Sequence, residues 1–290
     1  MKPDLFFRIS VIDAGLNLKQ HLETYPDISI TDAVRQLRNG PVFRSSLDYE
    51  TAAAICEEHG MSPFCLSPVR TEELRQTLFR LAVRLQPFWA KMSFLGRDRV
   101  RAVLSDGSTQ CLRYAGLLGP IDESVRQWWD ELAAHFRAEQ SQKLLEIGRR
   151  GEQLSFQLET ETLQRLGISE VPVWISIEDN TAGYDILSHR RTETGGLSKL
   201  FIEAKATTTT EYAFILTRHE WDVAAGVGNN FRFHFWYLPA TAVWIATVEE
   251  VAIHIPTDHG SGLWDTVRLD LRNRRFDPVA FRSFVLTQRH

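Results

Sequence analysis

The residues best suited to chemistry in this chain are an aspartate, a glutamate and a lysine in its C-terminal half. Asp185 lies in Gly183-Tyr184-Asp185-Ile186, and Glu203 and Lys205 lie in Phe201-Ile202-Glu203-Ala204-Lys205, with Thr194-Gly195-Gly196 between them. Alternation along an extended strand turns Glu203 and Lys205 to one face, with Ile202 and Ala204 on the other. If the two strands pair as a hairpin, Asp185 comes beside them. Carboxylates about 5 Å apart repel by roughly 3 kcal/mol at an effective dielectric near 20, so such a cluster needs a compensating cation. Lys205 supplies one, and hard oxygen donors suit Mg²⁺ or Mn²⁺ as the other. That combination fits phosphodiester hydrolysis: the metal acidifies a water and supports the transition-state charge, while Lys205 orients or deprotonates the nucleophile. The same residue types also make structural ion pairs at sheet edges, and the pattern by itself admits both readings.

Glu152 lies among Gly148, Gly151 and Ser155, small residues that let a helix approach a sheet closely. A carboxylate there can reach the same metal or its water, or stand as a surface glutamate beside a glycine contact. Thr207 opens a threonine run that offers hydroxyls to a phosphate or makes a solvated turn. His219 sits in the first turn of a helix, as a substrate contact or an exposed bystander.

These residues need a scaffold. Leu144, Leu145, Ile147, Leu154 and Leu158 mark one helical face. A strand over 171–177 follows, then the Asp185 and Glu203 strands. Thr217-Arg218-His219-Glu220 is a capping box flanked by the staple pair Leu216 and Trp221, which predicts a helix from Arg218 to about Ala225. Strands over Phe231–Tyr237 and Ala242–Val248 complete an α/β sandwich with a mixed sheet, assigned to residues 139–290.

Upstream, residues 1–68 read as a small α/β module. It has strands at Leu5–Ile12 and Pro63–Leu66, a helix begun at Ser29 and stopped by Asn39-Gly40-Pro41, and a second helix over Tyr49–His59. Residues 69–138 read as helix, hairpin, helix, with Asp106-Gly107 as the hairpin turn. That arrangement suits a winged-helix-like reader or a packed connector. Trp128 and Trp129 read as core anchors of the last helix. Arg70, Arg75, Arg80, Arg84, Lys91, Arg97, Arg99 and Arg101 concentrate positive charge here. They make either a solvated face or a phosphate-tracking surface, with Arg80 and Arg84 as the candidate nucleic-acid contacts.

Composition narrows the classes. The chain has 290 residues, 43% hydrophobic and 24% charged, with a net charge of −4, ordinary values for a globular protein. The charge weighs against a protein that merely coats nucleic acid. No apolar run approaches the roughly 20 residues of a membrane span. Cys56, Cys65 and Cys111 lack paired metal-ligand spacing and read as reduced thiols, which favours a cytoplasmic protein and disfavours zinc. Signatures of acyl transfer and of phosphate-cradling loops are missing.

Four ordered motifs, Gly148-x-x-Gly151-Glu152, Gly183-Tyr184-Asp185-Ile186-Leu187-Ser188, Ile202-Glu203-Ala204-Lys205-Ala206-Thr207 and Phe214-x-Leu216-Thr217-x-x-Glu220-Trp221-x-x-Ala224, resemble the protein NO VEIN C-terminal domain family. That family resembles the PD-(D/E)xK restriction-endonuclease-like superfamily. The match covers about Glu139 to Val248. It implies a restriction-endonuclease-like sheet flanked by helices, with Asp185, Glu203 and Ala204 as the Mg²⁺ or Mn²⁺ set. Lys205 would be the catalytic lysine and Glu152 the helix acid. It also implies a DNA substrate and a phage-defence or restriction-like setting with companion proteins and, in some arrangements, a homo-oligomer. The alternative it leaves open is a non-catalytic nucleic-acid-binding or assembly module that keeps the nuclease fold. Ala206 departs from the glycine common after the lysine.

Overall fold

The computed structural model describes residues 3–40, 46–258, 263–271 and 282–283, the last two by backbone alone. The protein is α/β, with a mixed sheet flanked by helices in its C-terminal part. It divides into two compact units, Met1–Ser141 and Gln142–His290.

The first unit is helical throughout its described residues. It contains α1 (Ile9–Thr24), α2 (Ile30–Asn39), α3 (Tyr49–His59), α4 (Arg70–Leu85), α5 (Phe88–Lys91), α6 (Arg97–Arg101), α7 (Asp106–Tyr114) and the start of α8 (Glu123–Arg165). One apolar cluster runs from Phe6 to Phe136, where the sequence suggested a division near residue 68. The expected strand at Leu5–Ile12 is instead a short 3₁₀ turn, Pro3–Phe6, leading into α1. The reason is visible over a longer window: Phe7, Val11, Ala14 and Leu18 are all fully buried and recur at helical spacing. Pro63–Leu66 is not a strand either. Phe64 there packs so closely on α1 that a side chain at Gly15 would collide with its ring.

The expected hairpin over residues 100–114 is α6, a short turn and α7. Asp106-Gly107 is not its turn but the first turn of α7, because Ser105 caps the helix, its hydroxyl accepting from the Ser108 amide at 3.2 Å. Gly107 is required by proximity, since a Cβ would fall 2.9 Å from the Phe7 carbonyl. The starts of α2 and α3 follow their sequence signals, with Ser29 and Asp48 accepting from the amides of Asp32 and Thr51. Pro41, read as the stop of α2, lies outside the described residues. Trp128 and Trp129 anchor the core, their indole N–H groups donating to the carbonyls of Arg75 and Leu117 at 2.9 and 3.0 Å. Cys56, Cys65 and Cys111 are buried free thiols, and burial raises Cys56 and Cys111 to about 12. No helix among the described residues is long and apolar enough to cross a membrane.

The second unit takes the rest of α8 and adds β1 (Val173–Trp174), α9 (Ile175–Glu178), β2 (Ile186–Arg191), β3 (Leu197–Thr207), β4 (Ala213–Thr217), α10 (Arg218–Val227), β5 (Phe231–Tyr237), β6 (Ala242–Ala246), α11 (Val248–Ala252), β7 (Thr266–Asp270) and β8 (Arg282–Ser283). The main sheet runs β1-β2-β3-β5-β6-β8, and β4 pairs with β7 apart from it. Among the described residues, β3 and β5 pair parallel in the main sheet and its other neighbours pair antiparallel. The predicted strand over 171–177 breaks after Trp174 into the single turn α9, while β5 and α10 start where expected.

The sheet has two distinct faces. On one, Phe231, Phe233 and Phe235 of β5 stand beside Phe201, Glu203 and Lys205 of β3 and pack with Ala224 of α10 and Phe214 and Leu216 of β4. On the other, Leu154 of α8 packs with Trp236, Val243 and Ala206. Gly151 makes that second contact possible, because a Cβ there would lie 2.7 Å from the Ala206 Cβ. Gly148, one turn earlier, has nothing within 4 Å.

The two glycines therefore respond oppositely to substitution. Gly151→Val loses stability by about 1–3 kcal/mol through overpacking. Gly148→Ala gains about 0.5–1 kcal/mol from helix propensity. Urea unfolding of both variants checks the contrast, and equal midpoints would contradict this packing.

Candidate active site

The site lies where β2 begins, alongside the second half of β3. Asp185 precedes β2 and continues its pairing: its amide donates to the Ile202 carbonyl at 2.8 Å, and its own carbonyl accepts from Ile175 and Ser176. Its carboxylate Oδ2 accepts from the Ala204 amide at 2.8 Å. The side chain is thereby fixed against β3, between the positions of Glu203 and Lys205. Ala204, the third member of the implied metal set, thus contributes its backbone to holding the aspartate.

Lys205 is the hub. Its Nζ lies 2.8 Å from Glu203 Oε1 and 2.7 Å from Glu220 Oε2. Glu203 is 4% exposed, while the Lys205 and Glu220 side chains keep 17% and 19% of their surface. The ion pair is thus buried on the glutamate side and open to solvent at its rim. Burial works against the Lys205 charge, but Glu203 and Glu220 outweigh it and lift the ammonium above its ordinary pKa. The two glutamates thus favour the ammonium form of Lys205 in this arrangement.

The carboxylates differ in environment. Burial, then the charge of Glu152, raises Asp185 from 3.8 to about 6, against the opposing pull of the Ala204 amide and Lys205. Burial also raises Glu203 well above the usual range despite Lys205. In Glu220 burial pushes the same way, yet Lys205 and the Thr217 amide overcome it and leave the group below its ordinary value. Burial thus disfavours the anionic form of two of the three acids, and Lys205 offsets only part of that cost.

Glu152 is brought to the same region, as its electrostatic effect on Asp185 requires. Its Oε2 accepts from Arg149 Nη1 and Trp174 Nε1, both at 2.7 Å, and from the Ser176 hydroxyl. Arg149, Trp174 and Ser176 were not legible as site residues, since nothing local in sequence ties them to Glu152. Glu220 was legible only as a capping residue. Its Oε2 does accept from the Thr217 amide at 2.9 Å, but the same oxygen also holds Lys205.

The remaining candidates lie elsewhere or are engaged. Thr207 is buried, its hydroxyl bonded to Thr209. His219 donates from Nε2 to the Thr181 carbonyl at 2.8 Å, tying the loop before Asp185 to α10. Gly183 allows that closure: its φ is +75°, and a Cβ would lie 2.6 Å from Val223 Cγ2. Arg80 and Arg84 belong to α4 in the first unit, where Arg80 donates to the Ser62 carbonyl.

The oxygens of Asp185, Glu203 and the Ala204 backbone are of the hard donor type that suits Mg²⁺ or Mn²⁺. Among the described residues no three His, Cys, Asp or Glu side chains are arranged to hold a metal. An ion here would thus take two carboxylates and complete its shell with backbone oxygen and water, the habit of Mg²⁺.

The raised pKa of Asp185 makes stability depend on pH. Because the folded state favours the neutral acid, that contribution is intact below about pH 4 and is lost as pH climbs through about 6. Asp185→Asn, which cannot ionise, should match the wild type near pH 4. At pH 8 in chelator it should exceed it by about 3 kcal/mol. Added Mg²⁺ or Mn²⁺ should raise the wild-type melting temperature and leave Asp185→Asn unmoved. A variant no more stable than wild type at pH 8 contradicts the assignment.

No curated protein and no solved structure matches the chain. Residues 151–238 match the family model described as Protein NO VEIN, C-terminal, a span from Gly151 through Asp185, Glu203, Lys205 and Glu220 to the end of β5. The similarity to the NO VEIN C-terminal family therefore rests on this segment, which carries the candidate site residues of the second unit.

Proposed function

We propose that the second unit is a metal-dependent nuclease of the PD-(D/E)xK kind that hydrolyses DNA phosphodiester bonds, in a phage-defence or restriction-like role. The observation that carries this reading is the pairing of Glu203 and Glu220 on the Lys205 ammonium, beside an Asp185 carboxylate that the Ala204 amide holds against the same strand. Asp185, Glu203 and the Ala204 carbonyl would hold Mg²⁺ or Mn²⁺. When bound, such an ion supplies an acidified water and neutralises charge on the scissile phosphate. Lys205, kept protonated by Glu203 and Glu220, donates from Nζ to the charge that develops on phosphate oxygens. Glu220 aims that ammonium by holding it from the first turn of α10. Glu152, set by Arg149, Trp174 and Ser176, supplies a further fixed negative charge that favours a cation beside Asp185.

One observation favours a second reading, a recognition or assembly module that retains the fold without catalysis. Glu203 is 4% exposed and already paired with Lys205, so it is satisfied without a metal.

Cleavage of double- and single-stranded DNA and of RNA, with Mg²⁺ or Mn²⁺, separates the two. The nuclease reading expects chelator-sensitive cleavage by the wild type, reduced at least ~100-fold by Lys205→Ala and by Asp185→Ala. Residual activity equal to wild type in both variants would remove the catalytic assignment. An inactive wild type that still shifts DNA would leave the binding module standing. Gel shifts with Arg80→Glu and Arg84→Glu test the α4 arginines, whose contribution predicts weaker binding and a shallower salt slope.

A further inference from the structure

Several cavities open on the first unit, and their walls differ in charge. The groove between α2 and α3 sets Arg35 and Arg38 against Glu50 and Glu57. The one between α4 and α8 sets Arg75 and Arg80 against Glu72 and Glu131. A cavity of 420 Å³ at α6 and α7 has no such balance. Its walls include Arg101, Leu104, Thr109, Arg113, Gly116 and Leu118, and no carboxylate lines it among the described residues.

Arg101, which lines this cavity, and the neighbouring Arg97 are positioned by carbonyls and meet little countercharge. Arg101 Nη2 donates to the Leu118 carbonyl at 2.9 Å, and Arg97 Nη2 to the Gly119 carbonyl at 3.0 Å. Carbonyls fix a guanidinium in place but carry no countercharge. Asp98 meets Arg101 at 3.3 Å, yet it is 95% exposed and so offsets little of that charge. Arg97 is additionally crowded: burial and then the Arg101 charge hold its guanidinium below the ordinary pKa, and its buried Nε lacks a partner. Arg113, exposed in the last turn of α7, has no ion-pair partner among the described residues.

Guanidinium groups with little countercharge around one concavity raise the local potential. Their planar forks suit the oxygens of a phosphate. Thr109 adds a hydroxyl, and Leu104 and Leu118 supply an apolar wall for a sugar or base. The volume lies within the range of small-molecule sites. We propose that the α6–α7 cavity is a phosphate-binding site, which takes the phosphate of a free nucleotide or of a nucleic-acid backbone. The site draws on no residue of the second unit and stands whether or not that unit is a nuclease.

The test uses the full chain in chelator, with three probes: inorganic phosphate, adenosine monophosphate and a labelled single-stranded oligonucleotide. Titration calorimetry reads the first two and fluorescence anisotropy the third, for wild type, Arg113→Glu and Arg84→Glu. Arg113 is exposed, so its variant should keep the wild-type melting temperature. The expected result is binding of at least one probe, weakened about tenfold by Arg113→Glu. If that probe is the oligonucleotide, the salt slope should also fall by about one. Binding of phosphate and nucleotide assigns a free ligand, and binding of the oligonucleotide alone assigns a backbone. No binding by any probe overturns the proposal. So does equal affinity in wild type and Arg113→Glu, or a loss confined to Arg84→Glu. Cleavage retained while all three titrations fail would remove this site and leave the nuclease reading intact.

Discussion

One buried ammonium organises the second unit. Lys205 sits between Glu203 and Glu220 at ion-pair distance, and removing either partner would leave charge inside without its full compensation. Buried ion pairs return little net stability, because desolvation of both charges offsets most of their attraction. Hydrophobic residues of similar volume would pack here at less cost. The elements that meet at Lys205 thus hold a charged arrangement that stability alone does not demand, as expected of a functional site.

Maintaining it calls on three local devices. The Ala204 amide captures Asp185 and keeps its carboxylate beside the cluster. The capping box of α10 presents Glu220 from a helix start, so a residue with an ordinary local duty has a fixed direction toward β3. Gly183 and His219 close the preceding loop onto α10, with the glycine in a left-handed conformation and too near Val223 for a side chain. The opposite face of the sheet carries a buried polar network. Ser155 joins His234 and Trp236, Ser188 donates to Glu159, burial lowers His234 to about 3, and burial raises Glu159. Burial thus disfavours charge beneath the sheet, while Lys205 and Glu220 pair above it, on the face that α10 covers.

Legibility in the sequence followed the range of the interactions involved. The capping box, the strands β3 and β5, and the link between Asp185 and Glu-x-Lys rest on neighbours in the chain or one hairpin away, and the motifs carry them. The helical first unit was misread where a short window matched two periods. Leu5–Ile12 looks alternating, and only Ala14 and Leu18 reveal the helix. Asp106-Gly107 was read as a hairpin turn because the competing signal, Ser105 capping Ser108, uses residues equally common in both structures. Glu220 as a partner of Lys205 and the Arg149-Trp174-Ser176 clamp on Glu152 depend on packing between elements, and no spacing rule reaches them.

The environments of the acids divide their work. Glu220 is held below its ordinary pKa, so near neutral pH it is the carboxylate that permanently balances Lys205. Glu203 shares that ammonium with Glu220, and burial raises both Glu203 and Asp185. A group whose ionisation is disfavoured by its surroundings is one that a second cation can most profitably engage, since the cation removes the repulsion as well as adding attraction. If Glu220 were apolar, Lys205 would draw Glu203 fully to itself, and the vicinity of Asp185 would lose its surplus of negative charge. In the metal-dependent reading proposed above, affinity for a divalent ion would depend on a glutamate that need not touch it, placed there by the same hydrogen bonds that begin a helix.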